Sequence, residues 1–216
     1  PIISHEGKAI FYPNTINIIQ GQAGVHKSRL AEIISAALIK QQTCKAELLG
    51  FEKASKEDFT VLYVDTERNW KDQFPAAIQR LLETAGYSKH EGTKQLKYVS
   101  LLEIPRKERF SSLQEYLEMQ KSEISNPLFI ILDVSTDCIE DFNKTDKSME
   151  LIDLMNVAIN EYDVTFLCLI HENPKSEKAR GHFGTELMNK SSTAIQVGYE
   201  KDAKNRDTDL LRIRFL

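Results

Sequence analysis

Seven short apolar runs rich in β-formers recur along the chain: Ile16–Gln20, Phe59–Asp65, Leu96–Leu101, Leu128–Asp133, Val164–Ile170, Ala194–Tyr199 and Leu210–Phe215. Most are near-continuously apolar rather than alternating, as expected of parallel strands covered on both faces. Between them, Ser28–Lys40, Lys71–Ala85, Leu113–Ile124 and Lys147–Tyr162 carry apolar residues at helical spacing. In the last, Met149, Ile152, Met155, Val157 and Ile159 predict one buried stripe. Strand–helix alternation of this kind implies an α/β fold, a mostly parallel, doubly wound sheet with right-handed crossovers. The last two strands are separated only by the polar stretch Lys201–Thr208, which predicts a C-terminal antiparallel hairpin at the sheet edge. Glu47–Asp58 and Ser88–Lys94 read as polar surface connections, and the chain shows neither internal repeats nor low complexity.

The 216 residues suit one domain, 1–216, with a sizeable core. Hydrophobic residues make up 41% and charged residues 28%, ordinary for a globular protein. No apolar run approaches the roughly 18 residues of a membrane span, so no membrane partner is expected. Pro1–Asn14 lacks the basic-then-apolar pattern of a secretory signal. Cys44, Cys138 and Cys168 show neither zinc spacing nor a redox pair. They read as reduced thiols of a cytoplasmic protein. The chain starts without Met and stops within an apolar run at Leu216, as a piece of a longer protein would. A net charge of −4 argues against a surface that binds nucleic acid throughout, while leaving room for a local basic groove.

The segment Thr15–Ser28 changes the picture most. A strand runs into Gly21-Gln22-Ala23-Gly24-Val25-His26-Lys27-Ser28, and a helix follows. Nucleotide phosphates need clustered backbone N–H donors and positive charge, which such a loop and the helix N-terminus supply. Lys27 is placed to reach the β- and γ-phosphates, from a position expected to be open to solvent before they arrive. The Ser28 hydroxyl is placed to coordinate magnesium. His26 stands where the G-x-x-x-x-G-K-[ST] pattern has its last glycine. An ordinary strand–turn–helix connection containing Lys-Ser is the plainer alternative.

Two further runs end in acids, Val61-Leu62-Tyr63-Val64-Asp65-Thr66-Glu67 and Leu128-Phe129-Ile130-Ile131-Leu132-Asp133. Ligands of open α/β sheets bind beyond the carboxyl ends of the strands. An aspartate there holds magnesium through its hydration shell, as Asp133 would. A glutamate on an adjacent strand end orients or deprotonates the attacking water, as Glu67 would. A lone acid of this kind is as readily a turn residue or helix cap; the ordered set Lys27-Ser28, Glu67 and Asp133 favours a site.

With that set in order, the chain resembles the RecA-like P-loop ATPases, closest to the hexameric replicative helicases of plasmid RepA type and related phage and mobile-element ATPases. The resemblance runs from about Ile16 to Phe215. It implies ATP and Mg2+ as cofactors, with a catalytic glutamate at Glu67 and a Walker-B aspartate at Asp133. It also implies a polar sensor at His171, within Leu167-Cys168-Leu169-Ile170-His171-Glu172-Asn173. Ala179-Arg180-Gly181-His182-Phe183-Gly184-Thr185-Glu186-Leu187 resembles the Arg-Gly motif that follows in such helicases. A nucleic-acid loop is then expected over Glu172–Lys190, carrying Lys175, Lys178, Arg180 and Lys190. Val134–Asp146 holds Asp137, Glu140, Asp141 and Asp146 against Lys144 and suits phosphate contact poorly.

The resemblance further implies a homo-oligomer, a hexameric ring or filament, with ATP at subunit interfaces and a basic finger supplied by the neighbour. Arg180, Lys201, Lys204, Arg206, Arg212 and Arg214 are the candidates, the last two on one face of a strand. The expected function is a Mg-dependent ATPase motor acting on single-stranded DNA, a helicase or loader for replication or mobilisation of a mobile element. A RecA-like regulatory ATPase with a protein target and a weakly binding, non-enzymatic nucleotide module are the alternatives.

Overall fold

A computed structural model describes residues 1–120, 123–174 and 176–216. Its centre is a seven-stranded sheet. Strands β3 (Ile16–Gly21), β5 (Thr60–Asp65), β6 (Leu96–Ser100), β7 (Leu128–Asp133) and β8 (Val164–His171) lie parallel with β9 (Thr193–Lys201), and β10 (Asp207–Phe215) closes an antiparallel hairpin on β9. The spatial order is β10-β9-β3-β8-β7-β5-β6. The expected strands are all present, several longer by one to three residues at an end. Every residue of β3, β5 and β7 is buried, because helices cover both faces and leave no polar side for alternation.

Successive side chains go to opposite layers. Ile19, Val61, Tyr63, Phe129, Ile131 and Leu169 pack with helices α1 (Lys27–Ile39) and α2 (Gln73–Thr84). Ile18, Leu62, Val64, Ile130, Leu132 and Phe166 pack with α3 (Arg106–Gln120), α4 (Thr145–Tyr162) and α5 (Gly181–Lys190). The predicted third helix starts earlier than expected, at Arg106. Lys121 and Ser122 of the expected Leu113–Ile124 lie outside the described residues. In α4 the buried face is Leu151, Ile152, Met155, Ala158 and Ile159. Val157 belongs instead to the exposed side and Met149 is half-buried, since 157 falls between the turns that meet the sheet.

The structure adds a hairpin at the N-terminus and corrects two parts of the sequence reading. Within Pro1–Asn14, for which no element was expected, β1 (Ile3–His5) and β2 (Lys8–Phe11) form a hairpin through Glu6 and Gly7, both at positive φ, as a two-residue turn requires. Glu47–Asp58 is not merely surface; it contains β4 (Phe51–Lys53), which pairs with β1, and buries Leu48 and Phe51. The stretch read as the loop Glu172–Lys190 becomes helical from Gly181. Phe183 and Leu187, four residues apart, stack on one face and are wholly buried in the layer beside Phe166 and Ile170. Truncating Phe183 to alanine would cost about 3–5 kcal/mol. Among the described residues no helix is long and apolar enough to cross a membrane.

Candidate functional site

Register fixes the site. At the carboxyl edge of the sheet Gly21 lies beside His171 and Asp65 beside Asp133. β8 stands between β3 and β7, so His171 separates the loop after β3 from the acid ending β7. Gly21 is demanded by packing, since a Cβ there would collide with the Val197 carbonyl. The loop then turns through Gly24 at φ 79° and His26 at φ 63°, ψ 29°, before α1 begins at Lys27. His26 occupies the left-handed region that favours glycine, with its side chain exposed. Val25 is buried, whereas Ala23 is exposed. The Gln22 amide donates to the Asn173 and Ser176 carbonyls (2.8 and 3.0 Å), tying this loop to the segment after β8.

Lys27 is not open to solvent as expected; it is 6% exposed. Its ammonium donates to the Gly21 and Gln22 carbonyls (3.1 and 2.8 Å) and lies 3.2 Å from His171 Nδ1. The amine folds back because a buried charge must find acceptors within its own loop. Burial lowers its pKa, against the pull of Asp133, Glu67 and Glu172. An ammonium can only donate, so His171 Nδ1 accepts and the ring proton sits on Nε2. That Nε2 faces Glu67 Oε1 at 3.6 Å. Contact with His171 first, and then the Lys27 charge, hold the half-exposed Glu67 carboxyl below its usual range in spite of partial desolvation.

Asp133 is buried at the other end of this row. Desolvation pushes its pKa up to about 6, opposed by Arg68 and by hydrogen bonds from Ser28 and Tyr63. Ser28 and Asp133, the two residues singled out for magnesium, line the same cavity. Three partners of the site were not expected from sequence. The buried Glu32 of α1 accepts from Arg29, Arg68 and Arg80. Arg68 also binds Asp65 and Asp133, and Tyr63 donates to Asp133. Arg68 stands next to Glu67 in the chain, and only the fold turns it inward.

A cavity of about 550 Å³ is lined by Lys27, Ser28, Glu67, Asp133 and His171 together with Arg29 and Arg80. Comparison of the chain with protein-family models and with curated proteins finds no match. What the site can do rests on its residues. Lysine and arginines about a loop at a helix N-terminus suit a polyphosphate. No group of three or more His, Cys, Asp or Glu among the described residues is arranged to hold a metal. A hydroxyl beside one carboxylate nevertheless fits magnesium, which takes few protein ligands and completes its shell with phosphate oxygens and water. A second cavity, about 650 Å³, opens on the other side of the loop between Gln22, Val25, Glu172, Tyr199 and Arg212.

The remaining candidates lie apart from this cluster. Arg212 and Arg214 share one face of β10, and both pair with Glu177 (3.5 and 2.8 Å). Lys201 pairs with Asp207 and Arg206 with Asp202. Arg180 lies 5.2 Å from the centre of the Phe142 ring. Lys204 is exposed in the hairpin turn, Lys178 is exposed ahead of α5 and Lys190 ends it; Lys175 lies outside the described residues.

Proposed function

We propose that this chain is a RecA-like P-loop motor domain that binds and hydrolyses ATP with magnesium and acts on DNA, as a helicase or loader. The observation that carries the reading is the convergence, at one sheet edge, of Lys27 and Ser28 with Glu67, Asp133 and His171. Lys27 binds the terminal phosphates, and the loop amides and the N-terminus of α1 hold the rest. Ser28 and Asp133 hold magnesium, which offsets phosphate charge when bound. Glu67, kept ionised by its neighbours, orients the attacking water and takes its proton. His171, touching both Lys27 and Glu67, is placed to register the terminal phosphate. The cavity by Tyr199 adjoins the loop where a nucleoside would lie. A ring or filament with single-stranded DNA as partner follows from the resemblance, with Arg180 and the basic residues of the terminal hairpin as fingers.

A regulatory ATPase with a protein target is the second reading, favoured by the acids Asp137, Glu140 and Asp141 on the segment after β7. Hydrolysis measured with and without magnesium, and with and without single-stranded DNA at two salt concentrations, separates the readings. Magnesium-dependent turnover that DNA stimulates, less so at high salt, supports the motor. Turnover indifferent to DNA favours the protein-directed enzyme, and no nucleotide binding at all refutes both.

A further inference from the structure

Asp133 is 3% exposed, so which way its carboxylate turns is decided by protein donors rather than by water. Two of them take the same oxygen. The Tyr63 hydroxyl donates to Oδ2 at 2.9 Å, and Arg68 Nη2 donates to Oδ2 at 3.1 Å. Tyr63 is itself fully buried on β5, the strand paired with β7. Its hydroxyl, two positions short of the strand end, comes in from beneath the acid. Arg68 is held at every other position of its fork, by Asp65 at Nε and by Glu32 Oε1 at 3.2 Å from Nη1. Its guanidinium lies 5.2 Å from the Tyr63 ring centre and 5.3 Å from that of Phe74. The donor aimed at Asp133 is thus fixed by two carboxylates and two rings.

We propose that Tyr63 and Arg68 are positioning residues for Asp133: they hold Oδ2 and so leave Oδ1 as the one oxygen offered to Ser28 and to a magnesium ion. The inference rests on the nucleotide-and-magnesium reading of the site. Magnesium demands near-ideal octahedral geometry, so a carboxylate free to turn presents its oxygen in the right place only part of the time. The fork also supplies positive charge to Asp65, Glu32 and Asp133 at once, which a lysine ammonium cannot match with the same planar geometry.

The experiment is a calorimetric titration of a non-hydrolysable ATP analogue, with and without magnesium, into wild type, Tyr63→Phe and Arg68→Lys, each checked for folding by its melting curve. These substitutions keep the ring and the charge respectively. Arg68→Ala is avoided because it would take one shared positive charge from three buried carboxylates at once. Partners one shell out from a metal typically change its affinity 10–100-fold. The expected result is magnesium-free affinity within about twofold of wild type and a magnesium enhancement reduced about tenfold or more. Enhancement undiminished in either folded variant overturns the proposal while leaving the function reading intact, as does an equal loss with and without magnesium. Should Arg68→Lys fail to fold, Tyr63→Phe decides alone. Wild-type protein that binds the analogue equally with and without magnesium overturns both.

Discussion

Replacing His26 by glycine should stabilise the protein and leave nucleotide affinity almost unchanged. The residue sits at φ 63°, ψ 29°, just ahead of α1, and makes no side-chain cap. Its imidazole is exposed, and its carbonyl accepts from Leu30 N (3.1 Å), a bond that glycine keeps. A left-handed conformation costs an ordinary residue about 1–2 kcal/mol. Glycine escapes that cost but loses more backbone freedom on folding, about 0.5–1 kcal/mol. The balance favours glycine by about 0.5–1 kcal/mol, a rise in Tm of about 1–4 °C for a chain of this size. His26→Val should move the other way, since a branched side chain tolerates the conformation least. Because the strain is relieved in the free and the bound loop alike, ATP affinity should stay within about threefold. Melting curves and calorimetry on the three proteins test this. A fall in Tm for the glycine variant, or a tenfold loss of affinity, about 1.4 kcal/mol, would show that the imidazole contacts phosphate or a neighbouring subunit.

Lys27→Ala should abolish hydrolysis without unfolding the chain, because desolvation already works against its charge; circular dichroism and a phosphate-release assay decide it, and retained turnover would refute the role. Glu67→Gln should keep nucleotide binding while slowing turnover by about 100-fold or more, the lower range for a general base, and unchanged turnover would reduce Glu67 to a structural contact. A thiol reagent at neutral pH should modify Cys44 alone in the native protein. Cys138, whose thiol burial pushes up to about 12, and the equally buried Cys168 should react only in denaturant; native titration of more than one thiol would contradict the packing around β8.

The main sheet was legible because its strands are buried on both faces and therefore read as unbroken apolar runs, Leu128–Leu132 most plainly. The N-terminal strands were not, since three or four residues such as Ile3–His5 leave no period to count. The Glu6-Gly7 turn between Ile2-Ile3 and Ile10-Phe11 was the signal available. In α5 the spacing of Phe183 and Leu187 was present but overridden by an expected loop. At the site, Lys27, Ser28, Glu67, Asp133 and His171 were readable because strand ends of a parallel sheet share an edge. Tyr63, Glu32 and Arg68 were not. Their partners are set by the pairing of β5 with β7 and by the approach of α1, which no local pattern encodes.

Lys27 begins with all three of its protons engaged, by Gly21, Gln22 and His171. An anion entering the loop therefore adds no hydrogen bond to this amine; it displaces one acceptor and takes its place. The bonds already made are charge-assisted on the donor side, so the gain is the added attraction of the ammonium for a charged oxygen over a neutral acceptor. Selectivity follows from that exchange. Under the proposed function, a neutral ligand of the same shape would have nothing better to offer the ammonium than the loop's own carbonyls and imidazole, whereas a phosphate would.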